Sequence, residues 1–66
     1  MKLKLDEQSD ALYLRLNEAA IVESEEVQPG VILDFDAQGR VVGVELLHVK
    51  ERAAGASLRS VTFETV

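Results

Sequence analysis

The sequence has no cysteine, a single histidine and very few aromatic residues, and each shortage argues against a class of function. Without cysteine there is no disulfide to stabilise the fold and no thiolate for metal binding or nucleophilic chemistry. His48 has no serine, cysteine or acid at the spacing of a catalytic relay, and one histidine cannot build a zinc site. We therefore expect no enzyme and no cofactor, and a cytoplasmic protein is compatible with this composition.

Basic residues are also few, with seven lysines and arginines against twelve acidic residues and a net charge of −5. Such a charge repels phosphate backbones, so we expect no nucleic-acid partner. No apolar run approaches the length of a membrane span, and the N-terminus lacks the apolar segment of a signal peptide. We expect no membrane association.

The length of 66 residues indicates one small domain, residues 1–66. A chain of this size buries only about 60% of its unfolded surface. Its core is expected to supply about 3–5 kcal/mol of net stability. Since disulfides are absent, association is the remaining source of stability, and we expect a homo-oligomer, a dimer or higher.

Residues 29–47 contain the strongest pattern, two alternating apolar runs joined by a short acidic turn. Alternation with many β-branched residues predicts two strands, and Gly39 suits the loop between them. Pro29 and Gly30 interrupt any preceding element, so we expect the hairpin to begin at Val31.

The turn of this hairpin also fits a calcium-loop template. Asp34, Asp36, Gln38, Gly39 and Glu45 occupy positions one, three, five, six and twelve, with glutamine as the one mismatch. A calcium loop of this kind lies between helices, whereas these flanks are strand-like. We interpret the residues as a hairpin turn and keep a metal-binding regulatory domain, using Asp34, Asp36 and Glu45, as the alternative.

The remaining segments complete a mainly β fold. Residues 2–5 and 11–16 alternate and predict a second hairpin, 21–27 predicts an acidic edge strand, 50–54 predicts a helical turn, and 57–66 predicts a last strand. We therefore expect an antiparallel β-meander of five or six strands with at most one short helix. The predicted core face is Leu3, Leu5, Leu12, Leu14, Leu16, Val31, Leu33, Phe35, Val42, Val44 and Leu46.

Three motifs occur in the order "DALY" at residues 10–13, "PGV-x-x-D" at 29–34 and "G-x-V-x-G-x-E" at 39–45. In this combination the chain, over about residues 5–48, resembles the bacterial family known as domain of unknown function 2283. The resemblance implies a small, strand-rich cytoplasmic domain without established catalytic residues, some of whose relatives resemble partners of small toxin-like proteins. It transfers no functional residue to this chain.

The first functional hypothesis is a self-associating protein-interaction module, with an antitoxin-like role toward a small basic protein. Glu23, Glu25 and Glu26 would guide such a partner to the acidic edge. The second face of the sheet would be covered by another subunit, because it carries more apolar residues than a solvated face requires. These residues are Ile32, Val41 and Leu47.

Overall fold

The computed structural model describes residues 1–66, and one antiparallel sheet accounts for nearly all of its regular structure. The elements are β1 (Lys2–Asp6), β2 (Ala11–Arg15), β3 (Glu23–Gln28), β4 (Val31–Phe35), β5 (Val41–Leu47) and α1 (Val49–Arg52). The predicted mainly β class with at most one short helix is confirmed, with five strands.

The strand order is β1-β2-β5-β4-β3, so the sheet is not a meander throughout. β1 and β2 form one hairpin and β3, β4 and β5 form a meander, and the two units meet where β2 pairs with β5. Residues 16–22 cross one end of the sheet to connect β2 with β3. Arg15 holds this crossing, because its Nε donates to the carbonyl of Asn17 at 2.7 Å and its guanidinium also donates to the carbonyl of Ala19.

Pro29 and Gly30 form the tight turn between β3 and β4, and β4 begins at Val31 as predicted. Gly30 has a φ of 80°, a conformation that favours glycine. Arg52 closes the turn from the side, donating to the carbonyl of Pro29 at 2.7 Å and to the carbonyl of Leu47 at 2.8 Å. The turn is thereby attached to the start of α1.

The two faces of the sheet differ in chemistry. Register places on one side, called here the apolar face, the residues Leu3, Leu5, Leu12, Leu14, Val31, Leu33, Phe35, Val41, Val44 and Leu46. The other side, called the polar face, carries Lys2, Lys4, Tyr13, Arg15, Ser24, Glu26, Ile32, Asp34, Gly43, Glu45 and Leu47. The prediction that Val41 shares a face with Ile32 is wrong, because a register shift after Asp34 pairs Val41 with Phe35.

The predicted core face is not a closed core. Only Ala11, Val42 and Val49 are buried apolar residues, and most of the apolar face is half-buried. Leu3 and Leu16 retain 46% and 41% of their accessible surface. The physical reason is that a single sheet needs a second layer to bury one side, and within this chain only α1 and the C-terminal segment supply part of that layer.

The predicted last strand at residues 57–66 is wrong, because this segment contains no strand. We call residues 57–66 the tail. It begins near the end of β1, where Arg59 lies 3.6 Å from Glu7, and reaches Met1 at Phe63. The tail thus runs antiparallel to β1 but across the apolar face instead of along an edge. Its backbone therefore forms no ladder with the sheet, and alternation alone does not make a strand.

Candidate functional site

A polar cluster on the polar face joins three strands through the carboxylate of Asp34. The Tyr13 hydroxyl donates to Asp34 Oδ2 at 2.6 Å, and the Ser24 hydroxyl donates to Asp34 Oδ1 at 2.6 Å. Asp34 is 9% exposed, so both of its oxygens are satisfied by side chains in a nearly buried position. The cluster links β2, β4 and β3 across the width of the sheet.

Gly43 on β5 makes room for this cluster. A Cβ placed on Gly43 would lie 2.5 Å from the Tyr13 hydroxyl oxygen and 2.7 Å from Asp34 Oδ2. Register explains the geometry, because β5 separates β2 from β4 and Gly43 pairs with Asp34 on one side and with Arg15 on the other. The hydroxyl of Tyr13 therefore passes over the backbone of β5 at the one residue without a side chain.

The hydrogen bonds of the cluster suit a structural role, in which they hold neighbouring strands together. Donation to the Asp34 carboxylate, followed by burial, raises the pKa of the Tyr13 hydroxyl. A raised pKa makes the phenol a poorer source of a phenolate nucleophile or base at neutral pH. Ser24 donates to the same carboxylate, so each oxygen of Asp34 accepts one hydroxyl.

The structure does not gather the three candidate metal ligands around one point. Asp34 is occupied by the cluster, whereas Asp36 turns back on its own loop and accepts from the amides of Gln38 and Arg40 and from Arg40 Nε, each at 2.9 Å. Glu45 lies in β5 between Tyr13 and Ile32. No group of three or more histidine, aspartate or glutamate side chains is arranged to hold a metal ion.

Asp36 organises the β4–β5 loop. It is only 3% exposed, and donation by the Arg40 amide, together with the Arg40 side chain and the Gln38 amide, holds the pKa of its carboxyl below the usual value. Gly39 follows with a φ of 78°. The acidic residues that resemble a calcium loop are therefore engaged in closing a hairpin.

The predicted partner-binding residues divide between two surfaces. Glu23 and Glu25 pair with residues of the apolar face and border it along β3, whereas Glu26 and Ile32 pair with each other on the polar face. All six residues of β3 are exposed and β3 is an edge of the sheet, as expected for the acidic strand. Leu47 lies on the polar face and Val41 on the apolar face.

The chain as a whole exposes more surface than a compact domain of its mass. A folded chain of 7.3 kDa is expected to expose roughly 4,200 Å², whereas this chain exposes 5132 Å². The radius of gyration is 12.8 Å, against about 10.8 Å for a compact domain of this length. The excess of roughly 900 Å² is comparable to the ~800 Å² that each partner contributes to a standard interface.

These features define a small antiparallel β protein with one incompletely covered face and a hydrogen-bonded cluster on the other. The chain belongs to the family described as "Protein of unknown function (DUF2283)", whose model matches residues 2–50. The resemblance expected from the motifs is thus confirmed. No match was found among the curated proteins or the solved structures. No helix of this fold has the length and apolar character needed to cross a membrane.

The three motifs that carry the resemblance converge on the cluster. "DALY" supplies Tyr13, "PGV-x-x-D" supplies Asp34, and "G-x-V-x-G-x-E" supplies Gly43. Sequence reasoning missed this convergence, because β2 and β5 are adjacent in the sheet but far apart in the chain. Ser24, the fourth member, lies outside the three motifs and has no sequence signal of its own.

Proposed function

We propose that this protein is a non-enzymatic interaction module that self-associates through its apolar face. The observation that carries the proposal is the exposed area, which exceeds that of a compact chain by about the size of one half of a standard interface. Burying it would add the second layer that the sheet lacks. A second copy offers a face of identical composition, and two-fold pairing of identical patches is the commonest form of oligomer.

Light scattering on the purified protein over a range of concentrations tests the proposal, with a mass of two chains as the expected result. A mass of one chain at every concentration up to millimolar would refute it. The matched pair of variants is Leu33→Lys and Ile32→Lys, since these neighbours in β4 point to the apolar and polar faces respectively.

Leu33→Lys is expected to dissociate the dimer, because it places a charge in the buried centre of the interface. Ile32→Lys is expected to leave the dimer intact, since its cross-strand neighbours are Glu26 and Glu45. The reverse result would assign self-association to the polar face. Far-UV circular dichroism of each variant separates dissociation from unfolding.

A basic partner protein is the second part of the proposal, and the character of β3 supports it. This strand is exposed along its whole length, has an unpaired outer edge and carries Glu23, Glu25 and Glu26. An extended basic segment could add to this edge as a further strand, with the glutamates speeding the encounter. An antitoxin-like role would consist of holding a small basic protein in this way.

Binding at this edge is expected to weaken as salt rises, because the attraction between exposed charges is screened. The test is titration of a small basic protein co-expressed with this chain, at low and high salt. Replacing all three glutamates by lysine should abolish binding of the basic protein, and light scattering on the variant alone reports separately on its dimer. Salt-independent binding, or binding that survives the triple substitution, would refute the proposed edge.

A further inference from the structure

The apolar face has two halves. The half formed by β1 and β2 is called here the raised half, and the half formed by β4 and β3 is called the open half. The tail and α1 lie over β1 and β2, where Leu58, Val49 and Ala53 line a cleft with Leu3, Leu5 and Leu12. The clefts lined by the tail and α1 include no residue of β4 or β3, where only Val22 and Ala37 lie beside Phe35. Since facing sheets pack about 10 Å apart, a second copy can approach the open half directly but meets the tail over the other half.

From this shape we infer that the two copies face each other across their apolar faces and are related by a two-fold axis parallel to the strands. The tail of each copy then lies against β3 and β4 of the other. The inference rests on the proposed self-association. A two-fold axis perpendicular to the strands, in the plane between the facing sheets, would place one tail on top of the other and hold the open halves apart. Only the parallel axis sets the raised half of one copy beside the open half of its partner.

The exposed side chains of the tail support this contact. Val61 and Phe63 are 68% and 79% exposed, although they line an apolar cleft with Met1, Leu3 and Leu14. Their own chain therefore covers only part of each side chain. The partner's open half, with Leu33 and Phe35, is the apolar surface that the parallel axis brings to them.

Charge disfavours the perpendicular axis. Glu23 and Glu25 lie on the apolar side of β3. A two-fold axis perpendicular to the strands would set these two glutamates against the same residues of the other copy, and such like-charge contacts are unfavourable.

Single cysteines test the geometry, because the chain has none of its own. Thr62→Cys marks the tail without removing an apolar side chain, and Glu25→Cys marks β3 on the apolar face. A mixture of the two variants, one enlarged by a tag, is treated with a short bis-maleimide reagent. We expect cross-links between unlike chains and none within either variant alone. Lys4→Cys on the polar face is the negative control.

Cross-links between like chains, or none in a sample that light scattering shows to be dimeric, would overturn the inference and leave self-association standing. A monomer in light scattering would refute self-association itself. As a second measurement, Val61→Ser with Phe63→Ser is expected to weaken dimerisation at least tenfold, a loss of ~1.4 kcal/mol. Val66→Ser is the matched control in the same tail, and an equal effect of the control would also overturn the inference.

Discussion

Replacing Gly43 by alanine tests whether the polar cluster determines the packing of this sheet. The added Cβ would lie 2.5 Å from the Tyr13 hydroxyl oxygen, so the hydroxyl must leave its position beside Asp34. Loss of a hydrogen bond to a charged group costs about 1.5–3 kcal/mol. Alanine recovers about 0.5–1 kcal/mol, because glycine loses more backbone freedom in a strand.

The expected net loss is therefore roughly 1–2 kcal/mol of the free energy of unfolding, from a total that a domain of this size keeps near 3–5 kcal/mol. Urea unfolding followed by far-UV circular dichroism measures it. Protein concentration must be equal in all samples, since association adds to apparent stability.

A double-mutant cycle with Tyr13→Phe separates the proposed cause from a general intolerance of side chains on β5. Without the hydroxyl the nearest obstruction is removed, and Asp34 Oδ2, released from Tyr13, can move away from the new Cβ. Gly43→Ala should then cost much less in the Tyr13→Phe protein, with a coupling energy of about 1–2 kcal/mol. Additivity within ~0.5 kcal/mol would refute the reasoning.

Three further predictions concern other parts of the fold. Acid should destabilise the protein, because the carboxyl pKa values of Asp6 and Asp36 are lower in the folded state than in the unfolded state. The stability they contribute is complete above about pH 4 and is lost as pH falls through the pKa values of the folded state. In urea unfolding at neutral and acid pH, Asp36→Asn should therefore lose less stability on acidification than the parent protein. Arg52→Lys should lower the free energy of unfolding by about 1 kcal/mol, since one ammonium cannot reproduce both guanidinium bonds, and an unchanged urea midpoint would contradict this role. Asp10 caps α1 through a bond from the Lys50 amide, so Asp10→Ala should cost about 1–2 kcal/mol in the same assay, while Asp10→Asn, which keeps the acceptor and tolerates the φ of 55°, should be near neutral.

The alternation of apolar and polar residues within each segment predicted most strands correctly, but it could not predict which distant strands pair. Alternation located β1, β2, β4 and β5, because each presents one side to an apolar environment. The same alternation in the tail produced no strand, since a strand also requires a neighbour for its amides and the tail lies over a face. The pairing of β2 with β5 likewise depends on a crossing that no local signal marks.

The candidate site shows the same division. Edge position and exposure of the acidic strand followed from its charges, and the structure agrees. The face of Val41 was wrong because one residue of register shift reverses a side chain, and sequence alternation does not show where a strand bulges. Asp34 was singled out as an acidic residue, but its partners Tyr13 and Ser24 lie 21 and 10 residues away.

Three members of the cluster, Tyr13, Asp34 and Gly43, come from the three motifs and lie on strands that are distant in the chain. A single sheet with one open face gains little from burial, so its strand pairing must be specified by other contacts. Asp34 accepts both hydroxyls with β2, β5, β4 and β3 in this order and with the glycine of β5 beneath Tyr13. The hydrogen bonds of the polar face thus stabilise this strand order, and the order places Leu33 and Phe35 in the open half that the proposed dimer would cover.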